Sequence, residues 1–224
     1  MKYIANVSWG KDSTAMLILL IKYHYPLDEV VFFDTGMEFD EIYKTRDKFL
    51  LEILKPLNIK YTELKPSKPF IDLMINYPHK TRNGSIKNGY GWCGGLCRWG
   101  TTQKVQALNR YCKDSIQYIG IAYDEEERYQ KLTPNKKAPL YELGIKEEMA
   151  LEICYSYGFY FGKLYTILKR VSCWCCRNKN LKELENYKKY LPNYFNKLIQ
   201  LEEQIGEPMK KPYYLKERFN EEKN

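Results

Sequence analysis

The six residues Ser8–Ser13, with the sequence Ser-Trp-Gly-Lys-Asp-Ser, constrain the fold of this 224-residue chain more than any other segment. They follow a short apolar segment, Lys2–Val7, which predicts a β-strand. They lead into Asp12–Tyr23, where apolar residues surround the middle of the predicted helix and indicate that it is buried. A turn between a strand and a helix is an anion site, because the first N–H groups and the dipole of the helix face it.

The alternation of apolar strands and helices continues along the chain and predicts an α/β fold with a mainly parallel sheet between helices. The predicted strands are Lys2–Val7, Val30–Phe33, Lys60–Leu64 and Ile116–Ile121. The predicted helices are Asp12–Tyr23, Asp40–Leu54, one beginning near Thr101, Lys146–Tyr157, and a helical segment from Leu181 that is broken at Pro192 and Gly206. Residues 81–95 and 134–139 are rich in turn formers and predict loops.

The polar side chains of the turn suit a phosphate ligand. Lys11 supplies a cation, and Ser8 and Ser13 supply hydroxyl donors. Asp12 is expected to cap the helix or to help hold Mg²⁺. The spacing is not that of a Walker loop, which has four residues between its first glycine and Gly-Lys. These residues therefore predict binding of an adenine nucleotide or a close relative of one.

The turn resembles the PP-loop of the ATP pyrophosphatase superfamily, whose usual form is Ser-Gly-Gly-Lys-Asp-Ser. Trp9 stands at the first glycine position, and Gly10 keeps the position nearest the helix. The resemblance implies a Rossmann-like nucleotide-binding fold. It also implies that the phosphates of ATP contact residues 8–13, with Lys11 and Asp12 in catalytic roles.

Two later segments resemble the PAPS reductase family within this superfamily. Asp34-Thr35-Gly36, followed by Met-Glu-Phe, is similar to its Asp-Thr-Gly-x-x-Phe segment, which lies beside the nucleotide. Residues 120–128 are similar to Gly-Ile-x-x-Asp-Glu-x-x-Arg. The resemblance implies that Gly120 lets a ligand approach the backbone and that Arg128 meets phosphate or sulfate, for which its planar fork is suited. It covers roughly the first 180 residues, so we expect a nucleotide-binding domain at 1–180 and a helical extension at 181–224.

Five of the seven cysteines form two close groups. Cys93 and Cys97 flank Gly-Gly-Leu, and Cys173, Cys175 and Cys176 follow much later. Two thiolate pairs predict a four-thiolate metal site, and cysteines of an intracellular chain are seldom structural disulfides. The isolated Cys112 and Cys154 are expected to be buried core residues.

The resemblance bears on the kind of thiolate site. Assimilatory APS reductases bind a 4Fe–4S cluster through an adjacent cysteine pair and a later Cys-x-x-Cys, which Cys173 and Cys176 match. The resemblance therefore implies a cluster on Cys93, Cys97, Cys173 and Cys176. Zinc is the alternative, because tetrahedral sulfur ligation suits both. A redox dithiol that uses Cys173 or Cys175 as the attacking thiolate is a third interpretation.

Reductases that depend on thioredoxin carry a C-terminal Glu-Cys-Gly-x-His segment, and this sequence has no cysteine after Cys176. Sulfonucleotide reduction is therefore not predicted. The expected reaction uses ATP, or PAPS or APS, for adenylylation with pyrophosphate release or for sulfur transfer near the thiolate site.

The net charge of +8 fits anionic partners. It leaves open a second function, sulfur modification of tRNA or DNA with a donor protein as the sulfur source, and a third, a nucleotide-binding module without turnover. The sequence has no run of about 18 apolar residues and no secretory signal, so we expect a cytoplasmic protein that does not span a membrane.

Overall fold

The computed structural model describes residues 1–94 and 97–219. The chain forms two compact units whose segments alternate along the sequence. Unit 1 comprises Met1–Asp34, Glu38–Lys65 and Lys104–Lys163. Unit 2 comprises Thr35–Met37, Pro66–Gln103 and Leu164–Asn224, of which residues 220–224 lie outside the described part. The domain boundary expected at residue 180 stays a prediction.

Unit 1 is built on a sheet of five parallel strands, as the strand–helix alternation predicts. The strands are β1 (Lys2–Val7), β2 (Glu29–Phe33), β3 (Lys60–Leu64), β6 (Ser115–Ile119) and β7 (Lys136–Lys137). Their order across the sheet is β3-β2-β1-β6-β7, so the strands are added first on one side of β1 and then on the other. Ala5 of β1 pairs with Val30 of β2 on one side and with Tyr118 of β6 on the other.

Helices cover both faces of this sheet because successive strand residues point to opposite sides. Val31 packs with Leu108 of the helix Lys104–Tyr111 on one face. Its neighbour Phe32 points to the other face and contacts Trp9, which packs on Phe49 at the end of the helix Asp40–Phe49. The helices of unit 1 are α1 (Lys11–Lys22), α2 (Asp40–Phe49, continued by a π-helical turn Leu50–Leu54), α4 (Lys104–Tyr111), α5 (Glu126–Tyr129), α6 (Pro139–Glu142) and α7 (Glu147–Ser156), followed by a 3₁₀ turn at Phe161–Lys163.

Unit 2 combines helices with a short antiparallel hairpin. The sequence predicted a loop at residues 81–95, and this prediction is wrong at Ile86–Asn88, which is the second strand of the hairpin. Its strands are polar and short, and so lack the apolar alternation by which a strand is recognised. The two-residue strand β7 was missed in the loop at 134–139 for the same reason. The elements of unit 2 are α3 (Phe70–Ile75), β4 (Pro78–Lys80), β5 (Ile86–Asn88), a π-helical segment Arg98–Gln103, α8 (Leu164–Ile167), α9 (Leu181–Tyr190), α10 (Pro192–Ile205) and α11 (Leu215–Arg218).

The ends of the C-terminal helices follow from local sequence. Asn180 Oδ1 accepts a hydrogen bond from the Glu183 N–H, and the Asn180 N–H donates one to Glu183 Oε2, so a capping box begins α9. Pro192 occupies the first turn of α10, where its missing N–H costs nothing. Gly206 ends α10 with a φ of 72°, a conformation that glycine adopts without strain. Among the described residues, no helix is long and apolar enough to span a bilayer.

Candidate nucleotide and thiolate sites

The loop between β1 and α1 is closed by the hydroxyl of Ser13. The Ser8 N–H donates to Ser13 Oγ at 3.1 Å, and Ser13 Oγ donates to the Gly10 carbonyl at 3.1 Å. Gly10 is the residue that precedes α1, and it has no side chain with which to cap the helix. The first-turn N–H groups of α1 face the loop, which is the arrangement that an anion uses.

Trp9 is an anchor of the hydrophobic core. Its side chain is 0% exposed, and its ring lies 5.6 Å from that of Phe49 and 6.0 Å from that of Tyr61. Its φ of 59° lies in the left-handed region, which explains why glycine is the usual residue at this position of the PP-loop. The substitution keeps the turn and attaches it to the core.

Lys11 is buried between two carboxylates. Its Nζ donates to Asp12 Oδ1 at 2.7 Å and to Glu147 Oε2 at 2.8 Å. Burial lowers the pKa of Lys11, but the hydrogen bonds and charges of Asp12 and Glu147 outweigh it, so the net shift is upward. Burial also raises the pKa of Asp12, against the opposing effect of Lys11. Asp12 therefore pairs with the lysine and does not cap the helix.

Gly120 lies just after β6, against the start of α1. A Cβ at Gly120 would lie 2.9 Å from both the N and Cα atoms of Ser13, closer than real Cβ contacts. The atoms that approach Gly120 in this structure are those of the phosphate loop, whereas the resemblance implied a ligand. Its missing side chain lets β6 and the loop pack together.

The segment after Gly120 contains acidic side chains that accept hydrogen bonds from neighbouring backbone N–H groups. Asp124 Oδ1 accepts a hydrogen bond from the Glu147 N–H at 3.1 Å and so positions the first residue of α7. Glu125 accepts from the Ala122 N–H and pairs with Arg128. The Arg128 side chain is more than half exposed, so the arginine expected to meet phosphate is bound here to a carboxylate of its own segment.

The Asp-Thr-Gly segment is divided between the two units. Asp34, which follows β2 in unit 1, accepts a hydrogen bond from the Tyr43 hydroxyl at 2.6 Å. Thr35 and Gly36 belong to unit 2. Thr35 Oγ1 accepts from the Met37 N–H at 3.1 Å and lies 3.9 Å from Cys173 Sγ. Gly36 has a φ of 73°, and a Cβ built on it would have no described atom within 4 Å.

The two cysteine groups come together in unit 2. A Cβ built on Gly100 would lie 3.7 Å from both Cys97 Sγ and Cys173 Sγ, so these sulfurs are no more than twice that distance apart. Backbone N–H groups point at the first pair: that of Arg98 donates to Cys93 Sγ at 3.1 Å and that of Gly100 to Cys97 Sγ at 3.3 Å. Residues 95 and 96, between the first two cysteines, lie outside the described part.

The remaining cysteines have distinct environments. The Cys176 N–H donates to the Cys173 carbonyl at 3.1 Å, which folds the second group into a turn. Cys175 is buried, and burial raises the pKa of its thiol to about 12, which argues against an attacking thiolate at that position. Cys112 and Cys154 are 1% and 0% exposed, which confirms that they are core residues. No disulfide forms among the described residues, which include all seven cysteines.

A buried lysine accompanies the thiols. Lys179 is 2% exposed, and its N–H donates to the Cys176 carbonyl at 3.2 Å. Its Nζ donates to Ser172 Oγ at 3.3 Å. A lysine is seldom buried to this extent without negative charge nearby, and burial lowers the pKa of Lys179. Within residues 1–94 and 97–219, however, no three His, Cys, Asp or Glu side chains are arranged to hold a single metal ion.

Sequence reasoning missed two residues of these sites. Glu147 is 136 positions from Lys11, and its only signal was its place at the start of a predicted helix. Lys179 was one of many lysines, and its position three residues after Cys176 was the only hint of its burial.

Comparison with known proteins identifies the family. The model of the phosphoadenosine phosphosulfate reductase domain matches residues 2–137, more than half of the chain. The chain belongs to this family. The match contains the phosphate loop, Asp34-Thr35-Gly36 and Gly120–Arg128, so it confirms the resemblance found in the sequence.

Two relatives of this PAPS reductase family protein occur in Methanocaldococcus jannaschii. The uncharacterized protein MJ0066 is 27% identical over 203 residues, which are 85% of this chain and 39% of that protein. The uncharacterized protein MJ0973 is 26% identical over 220 residues, 91% of this chain and 49% of that protein. The chain thus spans less than half the length of both. Among solved structures, the U34-tRNA thiolase NcsA from Methanococcus maripaludis with its 4Fe–4S cluster has a TM-score of 0.46 and 16% identity, over 92% of this chain and 72% of that chain.

Proposed function

We propose that this PAPS reductase family protein is an enzyme that uses ATP to activate an acceptor and takes part in sulfur transfer. The observation that carries the proposal is the loop at residues 8–13, which is closed by Ser13 and leads into the N-terminus of α1. The chain has the usual PP-loop residues at Lys11, Asp12 and Ser13, which sulfonucleotide reductases often alter. ATP is therefore favoured over PAPS or APS as the nucleotide.

The chain's own groups account for phosphate binding. The N–H groups at the start of α1 and Lys11 Nζ would contact the β- and γ-phosphates. Because Lys11 already donates to Asp12 and Glu147, a phosphate oxygen must replace one of these carboxylates or enter beside it. The same two carboxylates would hold Mg²⁺, which when bound neutralises charge on the phosphates.

Activation follows as an in-line displacement. An acceptor oxygen forms a bond to the α-phosphorus, and the bond from that phosphorus to the bridging oxygen of pyrophosphate breaks. Pyrophosphate leaves with the electron pair, and Lys11 and the α1 N-terminus stabilise its charge. A sulfur nucleophile then displaces AMP from the acceptor, with a donor protein as the proposed source of sulfur.

The four cysteines Cys93, Cys97, Cys173 and Cys176 are proposed to hold the thiolate-bound group. Gly100 supports this role, since its missing side chain leaves room between two of the sulfurs. An iron–sulfur cluster is favoured over zinc, because Cys173 and Cys176 match the later Cys-x-x-Cys with which members of this family bind a cluster. When bound, a cluster supplies a centre for sulfide or electrons, whereas zinc would only tie the segments together.

Pyrophosphate release tests the reaction. Protein purified without oxygen is incubated with ATP, Mg²⁺ and candidate acceptors, and pyrophosphate is measured. The proposal predicts release that depends on an acceptor and is lost in Lys11→Met. ATP binding without release for any acceptor would favour a nucleotide-binding module that lacks turnover.

Metal content tests the thiolate site separately. Iron and acid-labile sulfide are measured in the wild type, in Cys173→Ser and in the control Cys112→Ser. The proposal predicts iron and sulfide in the wild type and in the control, with loss in Cys173→Ser. Zinc without iron would indicate a structural ion in place of the cluster. The absence of both iron and zinc would overturn the proposed thiolate site.

A further inference from the structure

Half of the chain's net positive charge lies in one stretch of unit 2. Residues 66–103 contain five lysines and arginines but one acidic residue, Asp72, so the stretch carries +4 of the chain's +8. The stretch includes the hairpin β4–β5 and the first cysteine pair. Its cations are Lys68, Lys80, Arg82, Lys87 and Arg98.

The tip of the hairpin is exposed and not neutralised. Lys80 and Arg82 are exposed, and neither has a carboxylate partner in the described part of the chain. Lys87 lies on the opposite strand and pairs with Glu207 at 3.2 Å, where both side chains are about half exposed. Ile86, beside it, is 79% exposed. The hairpin therefore offers cations and an apolar side chain to a partner.

Three aromatic rings form a column at the base of the same hairpin. The ring of Tyr90 stacks on His79 at a centroid distance of 4.2 Å and on Tyr77 at 5.9 Å, with interplanar angles of 20° and 19°. Two cations flank the column: Lys68 Nζ lies 3.9 Å from the Tyr77 centroid, and the Arg98 guanidinium lies 5.2 Å from that of Tyr90. All three rings keep part of their surface exposed.

The column stands on a fixed base. The Tyr90 N–H donates to the Leu73 carbonyl at 2.9 Å, and the Gly91 N–H donates to the Met74 carbonyl at 3.0 Å. Gly89 lies so close to α3 that a Cβ would meet the carbonyl oxygens of Met74 and Ile75 at 2.3 and 2.5 Å. A platform held in this way loses little conformational freedom when a ligand stacks on it.

We infer that the hairpin and the column, residues 77–90 with Lys68 and Arg98, form a binding surface for an unpaired segment of RNA. Unpaired bases stack on aromatic rings and on arginine, while their phosphates contact lysines and arginines. An acidic protein segment would use the cations but not the rings. A duplex keeps its bases stacked inside and so cannot use the column.

The surface is continuous with the proposed thiolate site. Arg98, which lies over Tyr90, donates its backbone N–H to Cys93 Sγ at 3.1 Å. A base on the column would therefore lie beside a cysteine of the same unit. That this RNA is the acceptor of the ATP-dependent reaction rests on the proposed function, whereas RNA binding itself does not and is measured without nucleotide.

Fluorescence anisotropy tests the charge contribution with a labelled RNA hairpin that has an unpaired loop, titrated at several salt concentrations. The variant Lys80→Glu/Arg82→Glu is compared with Lys55→Glu/Lys113→Glu, which makes the same change in net charge at exposed positions of unit 1. Loss of two phosphate contacts predicts a salt slope smaller by about 1.4 and affinity at 0.1 M salt weaker by about 25-fold. Equal losses of RNA affinity in the two variants would overturn the assignment of RNA binding to this surface.

A second pair of variants tests the stacking contribution. Tyr90→Phe keeps the ring and is expected to bind as the wild type does. Tyr90→Leu removes the ring on which His79 and Tyr77 stack, and is expected to bind about 5- to 150-fold more weakly, the range for loss of one stacked base. Thermal melting of both variants separates this effect from misfolding. Equal binding of a fully paired RNA, or of single-stranded DNA of the same sequence, would overturn the assignment to unpaired RNA. Pyrophosphate release without RNA binding would retain the proposed function and refute this inference alone.

Discussion

The pairing of Lys11 with Glu147 predicts that Glu147 opposes metal-free nucleotide binding. Lys11 is 7% exposed, and its Nζ lies 2.7 Å from an Asp12 oxygen and 2.8 Å from a Glu147 oxygen. The three side chains together carry one net negative charge, so a triphosphate enters against repulsion. The variant Glu147→Gln removes that charge and keeps the shape, and Asp124 still accepts from the backbone N–H of residue 147.

The size of the effect follows from the geometry. A carboxylate and a phosphate charge about 6 Å apart, at an effective dielectric constant of about 60, repel by about 1 kcal/mol. We therefore expect Glu147→Gln to bind ATP about fivefold more tightly in the presence of a chelator. The Glu147 side chain is about half exposed, so its loss is expected to reduce the free energy of unfolding by less than about 1 kcal/mol.

Isothermal titration with ATP, in EDTA and in Mg²⁺, measures this effect. The gain in ATP affinity is expected to shrink or reverse in Mg²⁺, because the ion offsets the carboxylate charge and Glu147 is one of the two carboxylates proposed to hold it. Glu148→Gln is the matched control, since its exposed carboxylate is the next along α7 and makes the same change in net charge. Weaker binding of ATP by Glu147→Gln in EDTA, or an equal gain in Glu148→Gln, would refute the reasoning.

Three further predictions concern stability. Trp9→Gly, which restores the usual PP-loop residue, is expected to reduce the free energy of unfolding by about 2–4 kcal/mol in urea titrations, because the lost core contacts outweigh the relief of the left-handed φ. Gly120→Ala is expected to cost about 1–3 kcal/mol in the same assay and to weaken ATP binding, because its Cβ displaces Ser13. Burial raises the pKa of Cys112 to about 11 and of Cys154 to about 12, whereas an unfolded thiol ionises near about 8.5. The contribution of each thiol is therefore complete below about pH 8.5 and falls by about 1.4 kcal/mol per pH unit up to its folded pKa, which thermal melts between pH 8 and 11 measure.

Each of these predictions has an outcome that contradicts it. Trp9→Gly as stable as the wild type would show that the indole does not anchor the loop. Gly120→Ala with unchanged ATP affinity would mean that the loop accommodates a methyl group. The variant Cys154→Ala should show a shallower loss of stability above pH 8.5, and an unchanged slope would exclude that thiol as a cause.

The parallel sheet and the turn between β1 and α1 were predictable from the sequence because both depend on local patterns. Apolar strands alternate with helices, and residues 8–13 contain the loop in one continuous segment. The role of Trp9 was not predicted, because a departure from a motif does not indicate what the new side chain contacts. The partner Glu147 was missed for a related reason, since the fold alone brings positions 11 and 147 together.

The hairpin and the thiol environment were also beyond sequence reasoning. Strand β5 is three polar residues long, and pairing with β4 rather than its own composition makes it a strand. The cysteine groups were visible as two clusters, but only the structure brings Cys97 and Cys173 to the same glycine. The burial of Lys179 depends on that folding and leaves no pattern in the sequence.

Amide hydrogen exchange with and without ATP tests most directly the claim that residues 8–13 bind the phosphates of an adenine nucleotide. Exchange is followed by mass spectrometry in Mg²⁺ over peptides that cover both units. ATP is expected to slow exchange in the peptide containing residues 8–14, and Lys11→Met is expected to remove this protection. ATP binding that protects other peptides and leaves residues 8–14 unchanged would contradict it.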